Sequence, residues 1–254
     1  MIDLHNHLLP GVDDGSRSVE QSVAVLRAMA AQGVTGVCLT PHLEASRLGA
    51  GVPTSHEAAF VALKLHAPPE VKLSRGAEVM LDRPFNEPEA VLRRISLGGT
   101  RYLLVEFHRM VALQTVYQAL AHVVERGIVP VLAHPERYSC CTPDAVRWWK
   151  GTGALMQVDA TTLLSPRGRG ERARQLIAHG LADIAAADNH GDDRTMMAVR
   201  EALEPHGGAL QADLLGTQNP QSILADQLTE EVPPLRMRAS IVTQFRRIFQ
   251  GEDE

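Results

Sequence analysis

Cysteine is scarce, with three residues, Cys38, Cys140 and Cys141, in a chain of 254. Two of them are adjacent, and neighbours in sequence rarely close a bridge with each other, so no disulfide framework is available. No C-x-x-C pair exists either, which removes a zinc ribbon. Aromatic residues make up only 4%, so aliphatic packing has to fill the core. Positive charge is not in excess: the formal net charge is -5, which argues against a general nucleic-acid surface. No apolar run is long enough to span a membrane. Met1 leads straight into Asp3 and His5 without the basic and apolar regions of a signal peptide, so the expected compartment is the cytoplasm.

What the chain has in quantity is histidine, eleven residues in all. Two of them open the sequence in Ile2-Asp3-Leu4-His5-Asn6-His7. In an extended strand, residues i and i+2 point to one side, so His5 and His7 present two imidazoles on one face, half of a metal site. The turn Pro10-Gly11-Val12-Asp13-Asp14-Gly15 that follows can return a carboxylate, from Asp13 or Asp14, toward those nitrogens.

Apolar strand patterns then alternate with helical ones. Strands are expected at the start, at 34–40, 71–78, 101–106, 128–133, 154–159 and 182–187, with Pro130 awkward inside one of them. Ser18-Val19-Glu20-Gln21 and Thr54-Ser55-His56-Glu57 read as capping boxes that begin helices. Further helical patterns lie near 112–126, 144–150, 171–179 and 194–204. Seven strands alternating with helices imply a parallel sheet. The length and the lack of linkers favour an α/β fold closed as one barrel over residues 1–229. Residues 230–254, with Arg236, Arg238, Arg246 and Arg247, read as an appended basic helix with a solvated face.

The polar residues that matter share a position. His42, Glu78, Glu106, His134, Asp188 and His190, with His5 and His7, fall on or just past the carboxyl ends of the expected strands, where a parallel barrel gathers its active site. With a turn aspartate they make nine candidate ligands, more than one ion can take, so the expectation is a multinuclear site. Nitrogen and carboxylate donors without thiolates suit zinc, manganese, iron or magnesium. Closely spaced divalent ions would polarise a phosphoryl oxygen and acidify water at neutral pH, which is the chemistry of phosphate-ester hydrolysis. Arg137 and Arg194 are candidates to fork onto phosphate oxygens. His56, His66, His108, His122, His179 and His206 read as surface or satisfied polar residues, and Asp159 is set aside.

The motifs His5-x-His7 with Pro10 to Gly15, Thr40-Pro41-His42, Gly76-Ala77-Glu78, Val105-Glu106-Phe107, His134-Pro135-Glu136-Arg137 and Asp188-Asn189-His190 carry a family resemblance. Together they resemble the bacterial manganese-dependent tyrosine-protein phosphatases of capsule and exopolysaccharide operons. These are a branch of the polymerase and histidinol phosphatase (PHP) superfamily. The likeness runs in register from residue 2 to Asn219-Pro220. It implies a distorted seven-stranded TIM-like (β/α)7 barrel, the PHP fold, with three divalent metals, manganese foremost. It implies a substrate as well: the phosphotyrosine tail of a membrane-associated bacterial tyrosine kinase that controls polysaccharide synthesis. Matched motif by motif, the family's ligands fall on His5, His7, Asp14, His42, Glu78, Glu106, His134, Asp188 and His190, and its phosphate-binding arginine on Arg137. His42 is one candidate for a general acid. The run Phe107-His108-Arg109-Met110 is more basic than the resemblance implies, and Ala187 stands where a small hydroxyl residue is common. Both departures bear on substrate preference.

Three rival readings make different predictions. Cys141-Thr142-Pro143-Asp144-Ala145-Val146-Arg147 satisfies the Cys-x5-Arg pattern of a cysteine phosphatase. It lacks glycine and carries Pro143 and Asp144, so it is a poor phosphate cradle. A phosphatase of a small molecule, histidinol phosphate or a nucleotide, would use the same ligands. A catalytically silent kinase-binding regulator would keep the barrel alone.

Overall fold

The computed structural model describes residues 1–237. The first strand, β1 (Ile2–Asp3), leads through the histidine stretch into helix α1 (Val19–Ala31). Ser18 caps α1 as its pattern predicts, its Oγ accepting from Gln21 N at 3.2 Å. The returning half of the box goes elsewhere, since Gln21 Oε1 accepts from Arg17 N at 2.9 Å. Val23, Leu26 and Met29 are the buried face of α1, and Gly33 ends it with a left-handed φ of 82°. Helix α2 (Thr54–Lys64) departs from expectation, because Pro53 takes the N-cap position and no side chain caps it. Glu57, the other half of the expected box, pairs instead with Arg75.

The strands also depart from expectation. In place of seven strands there are nine among the described residues, in two sheets. The expected strand at 34–40 runs on to residue 44 but is broken into β2 (Gly36–Leu39) and β3 (His42–Glu44), and that at 71–78 into β4 (Lys72–Arg75) and β5 (Glu78–Met80). Pro41 has no N–H to keep the first ladder running, and Gly76-Ala77 break the second. β1, β2 and β4 form one parallel sheet. In the other, β3 and β5 are followed by β6 (Tyr102–Glu106), β7 (Val129–Ala133), β8 (Leu155–Asp159) and β9 (Ile184–Ala186), all parallel. Hydrogen bonds from Gly76 N to Leu39 O (2.9 Å) and Glu78 N to Pro41 O (3.1 Å) cross the two breaks. A parallel bridge between Asn6 and Asn189 joins the two ends of the series. Pro130 sits inside β7 opposite Leu103, and pairing with β8 begins only at Val131.

Helices α3 (Glu89–Ile95), α4 (Leu113–Glu125), α5 (Pro143–Lys150), α6 (Arg169–Ala178), α7 (Met197–Leu203), α8 (Ala209–Asp213) and α9 (Asn219–Leu224) complete the chain. Four of them fall within a few residues of the patterns read above; α3, α8 and α9 carried no such pattern. α7 starts later than expected because Asn189 Nδ2 donates to Asp192 O and Arg194 O, holding that stretch as a turn. Strand alternation divides the core. Leu4, Cys38, Leu104, Val131, Ala133 and Ile184 share one buried cluster, whereas Leu103 and Val105 face a larger one with the helices, where Trp149 is wholly buried.

Residues 230–237 form no helix. Val232 is buried and Leu235 N donates to Ile177 O at 3.2 Å. The rest of the expected basic helix, including Arg238, Arg246 and Arg247, lies outside the described residues. Among the described residues no helix is long and apolar enough to cross a membrane.

Candidate metal centre

His5 and His7 are positioned by backbone on both sides. Asp188 N donates to His5 O at 2.9 Å and His7 N to Asn189 O at 2.7 Å, while Asn6 binds Cys38 O and Thr40 on the opposite side. Their rings are oriented from behind. His5 Nδ1 donates to Gln157 Oε1 at 2.9 Å and His7 Nδ1 to Asp13 Oδ2 at 2.8 Å, so both Nε2 atoms turn inward. They meet 3.3 Å apart.

Two buried carboxylates face them. Glu78 Oε2 lies 3.2 Å from His5 Nε2, 3.3 Å from His7 Nε2 and 3.1 Å from His42 Nδ1, and its Oε1 lies 2.9 Å from His134 Nε2. Asp188 Oδ1 stands 3.3 Å from His5 Nε2, 3.4 Å from His7 Nε2 and 3.6 Å from His190 Nδ1. Glu106 Oε1 approaches His42 Nδ1 at 3.3 Å, and Asp14 Oδ1 reaches His42 Nε2 at 3.3 Å and His190 Nε2 at 3.5 Å. All nine expected ligands therefore enter four overlapping groups able to hold a cation: His7-Asp14-His42-His190, His5-Glu78-His134, His5-His7-Asp188 and His42-Glu78-Glu106. Between the two turn aspartates the geometry discriminates, since Asp13 orients His7 and accepts from Gly15 N and His42 N, while Asp14 is the one in a group.

Electrostatics test whether a cation suits this set. Inward lone pairs on His5 and His7, packed against Glu78 and Asp188, require positive charge between them. With protons alone to supply it, burial opposes charging of both imidazoles, but Glu78 and Asp188, joined at His7 by Asp13, outweigh burial and raise both above the usual range. His42 is pulled down by burial and pushed up further by Glu106 and Glu78, to about 10. Burial likewise opposes ionisation of Asp188, but His5, His7 and Arg137 hold it below the usual carboxylate range. Bridging carboxylates with buried imidazoles fit divalent ions. His134 and Asp188 adopt left-handed φ values of 35° and 49°, uncommon for non-glycine residues and confined here to the site, apart from Asp226, among the described residues.

Arg137 and Arg194 converge on Asp188. Arg137 Nη2 donates to Asp188 Oδ2 and, at 2.6 Å, to Asp159 Oδ2. Arg194 Nη1 donates to Asp188 Oδ2 at 3.4 Å and its Nε to Asp192. Asp159, set aside from sequence, is thus part of the arrangement. It is itself fixed by Thr161 and Thr162, and Glu136 Oε1 accepts from Asp159 N at 2.8 Å. Burial and then the neighbouring Asp159 push the Glu136 carboxyl up to about 8. Gln157 was missed as well. The signal lay in β8, where Gln157 and Asp159, both buried, share one face of an otherwise apolar strand. A cleft of about 630 Å³ opens beside His42 and Glu106, with Val12, Leu43, Leu48 and Met80 on its walls. A larger one, about 810 Å³, contains none of the nine ligand candidates.

The Cys-x5-Arg reading fails on geometry. Thr142 caps α5, Pro143 is in its first turn, and Arg147 lies on the helix paired with Asp144 at 2.5 Å. Burial, then Glu136, push the Cys141 thiol up to about 12, so at neutral pH it is not a nucleophile.

Gly15 closes the turn over His7. A Cβ there would stand 2.0 Å from His7 O and 2.4 Å from His7 Cβ, so Gly15→Ala must push the turn, with Asp13 and Asp14, away from the centre. The expected result is a loss on the order of 2 kcal/mol, about 4–8 °C in Tm, with weakened manganese binding. Calorimetric scans and metal titration check it; an unchanged metal affinity contradicts it.

Residues 1–225 match the family model described as capsular polysaccharide synthesis, CpsB/CapC. The tyrosine-protein phosphatase CpsB of Streptococcus pneumoniae is 28% identical over 245 residues, covering 90% of this chain and 100% of that protein. The tyrosine-protein phosphatase YwqE of Bacillus subtilis is 27% identical over 243 residues, covering 92% and 95%. Among solved structures, one from a study of YwqE from Bacillus subtilis and CpsB from Streptococcus pneumoniae, described as unique metal-dependent tyrosine phosphatases, superposes with a TM-score of 0.74. It has 27% identity and covers 94% of this chain and all of that one.

Proposed function

Because the chain belongs to the CpsB/CapC family of capsular polysaccharide synthesis, we propose that it is a metal-dependent protein-tyrosine phosphatase. The observation that carries this reading is the convergence of five imidazoles and four carboxylates into four overlapping cation-binding groups. Its ligands are His5, His7, Asp14, His42, Glu78, Glu106, His134, Asp188 and His190, holding three divalent ions, manganese foremost. The substrate is a phosphotyrosine on the tail of a membrane-associated bacterial tyrosine kinase that regulates capsule or exopolysaccharide synthesis, met in the cytoplasm. Residues 1–229 act as the phosphoesterase unit. The nine strands serve as the wall of one distorted seven-stranded (β/α)7 barrel, a reading supported by the hydrogen bonds across the two breaks and by the Asn6–Asn189 bridge.

Divalent ions held by these donors would supply Lewis-acid charge to the phosphoryl group and acidify water at neutral pH. The chain's own residues do the rest. Arg137 and Arg194 fork onto the phosphoryl oxygens and stabilise the charge spread over them in the transition state. Asp159 is a positioning residue that holds the Arg137 guanidinium in register. The cleft walls Val12, Leu43, Leu48 and Met80 receive the aryl group and exclude water from it. A departing phenolate, with a conjugate-acid pKa of about 10, makes a small demand for a proton. His42, on the edge of that cleft, serves there as a ligand, and water supplies that proton.

The test compares turnover of a phosphotyrosine peptide and of histidinol phosphate by the manganese-supplemented protein. The expected result is a kcat/KM for the peptide at least about tenfold higher. Preference for histidinol phosphate overturns the substrate reading, and no turnover of either favours the silent regulator.

A further inference from the structure

Beyond the centre, the connections after β6, β7 and β8 carry more positive charge than the centre requires. Arg109 lies in the loop after β6, and its carbonyl accepts from Ser139 N at 2.9 Å, which ties that loop to the segment holding Arg137. Arg172 Nε donates to Glu136 O at 2.7 Å, which ties α6 to the same segment. Arg169 opens α6. These two ties and the one-turn spacing of Arg169 and Arg172 on α6 gather four arginines on neighbouring connections. Burial and then the fields of Arg109, Arg137 and Arg172 lower the pKa of Arg169, with Asp159 opposing them.

The acids nearby are already engaged. Asp159 is committed to Arg137 and to Thr161, and Glu171 pairs with Arg174 at 3.2 Å. The guanidinium groups of Arg109 and Arg169 make no hydrogen bond or ion pair with any described residue. Like charges gathered with only Asp159, already bound to Arg137, set against them raise the energy of the free protein and make a ready anion site. Guanidinium forks suit phosphate and carboxylate oxygens alike. Arg137 faces Asp188 and the centre, while Arg109 and Arg169 stand around it on the neighbouring connections.

We propose that Arg109 and Arg169, with Arg172 beside them, bind a second anionic side chain on the same peptide whose phosphotyrosine enters the metal centre. This rests on the phosphatase reading. The chain thereby prefers acidic or multiply phosphorylated segments to isolated phosphotyrosines, and the basic run Phe107-His108-Arg109-Met110 acquires a purpose.

The experiment uses the full chain with manganese and three fluorescently labelled peptides of one sequence. Each carries one phosphotyrosine at a fixed position, and a second position holds phosphotyrosine, glutamate or alanine. The expected kcat/KM for the two anionic peptides exceeds that for the alanine peptide by about tenfold, and the preference shrinks at high salt. Ranking the phosphate and glutamate peptides against each other identifies which anion the site takes. In Arg109→Ala/Arg169→Ala the preference disappears, whereas Arg27→Ala on α1 keeps it. Equal kcat/KM for all three peptides in the wild type, or a preference that survives the double substitution, overturns the proposal while leaving phosphatase activity intact. If no peptide is turned over, the phosphatase reading fails, and anisotropy of the same peptides then decides the proposal by binding. Tighter binding of the anionic peptides, lost in the double variant, upholds the anion site; equal binding overturns it.

Discussion

Stripping divalent ions with EDTA is expected to slow hydrolysis of a phosphotyrosine peptide by about a thousandfold or more, several kcal/mol of transition-state stabilisation, and added manganese to restore it. Iodoacetamide is expected to leave the rate unchanged. The asymmetry follows from the side chains. The centre offers nine imidazole and carboxylate donors and no thiolate. All three cysteines are free, and burial raises the thiol of each, Cys38 to about 11 and Cys141 to about 12. Thiolates are the form that alkylates, and they are rare under these conditions. Loss of activity with iodoacetamide but not with EDTA points to a cysteine nucleophile and sinks the metal account.

The second large effect is expected from Glu78→Gln. One carboxylate, 1% exposed, touches His5, His7, His42 and His134 within 3.3 Å. The amide keeps the volume but removes the charge and turns NH2 donors toward nitrogens that need an acceptor or a cation. Activity is expected to fall at least about a hundredfold, with weaker metal binding. Stability in EDTA reads the same interaction by another route. Removing one member of a buried charged set costs about 3–5 kcal/mol. The pH dependence has a defined sign. The imidazoles of His5, His7 and His42 are raised in the folded state, so their contribution is present below the unfolded histidine pKa and lost as pH rises through the folded values. Glu78 is held well below its usual range by His5, His134 and His42 despite its burial, so its contribution fades only as pH falls through that lowered value. The wild type's advantage over Glu78→Gln is therefore greatest between about pH 4.3 and 6.5 and shrinks at alkaline pH. Denaturant melts of both proteins across that range check it; a gap that widens with rising pH contradicts the assignment.

The candidate ligands were legible in the sequence because a parallel strand presents its carboxyl end to one face, and Glu106, His134 and Asp188 stand at or just past the ends of β6, β7 and β9. His42 and Glu78, expected at strand ends too, instead open β3 and β5 beyond the two breaks. What the apolar pattern does not encode is continuity of a ladder. Pro41 breaks one strand while burial runs on through Thr40 and Pro41, and at Gly76-Ala77 burial begins only at Ala77 and continues into β5. The partners behind the ligands were also hidden. Gln157 and Asp159 act through their neighbours across the sheet, a relation set by the register of β8 against β7 and β9 rather than by any local spacing. Asp13 and Asp14 differ only in which way the turn aims them, and the close approach of Gly15 to His7 fixes that. At Thr54, Pro53 pre-sets the helix start, so the hydroxyl never takes the cap position.

The central claim is that this ring of donors holds several divalent ions. Anomalous diffraction at the manganese edge, from crystals of the manganese-loaded protein, tests it most directly. The account predicts more than one anomalous peak inside the ring, with Glu78 and Asp188 each against at least one of them. A single peak outside that ring, or none at all, would contradict it.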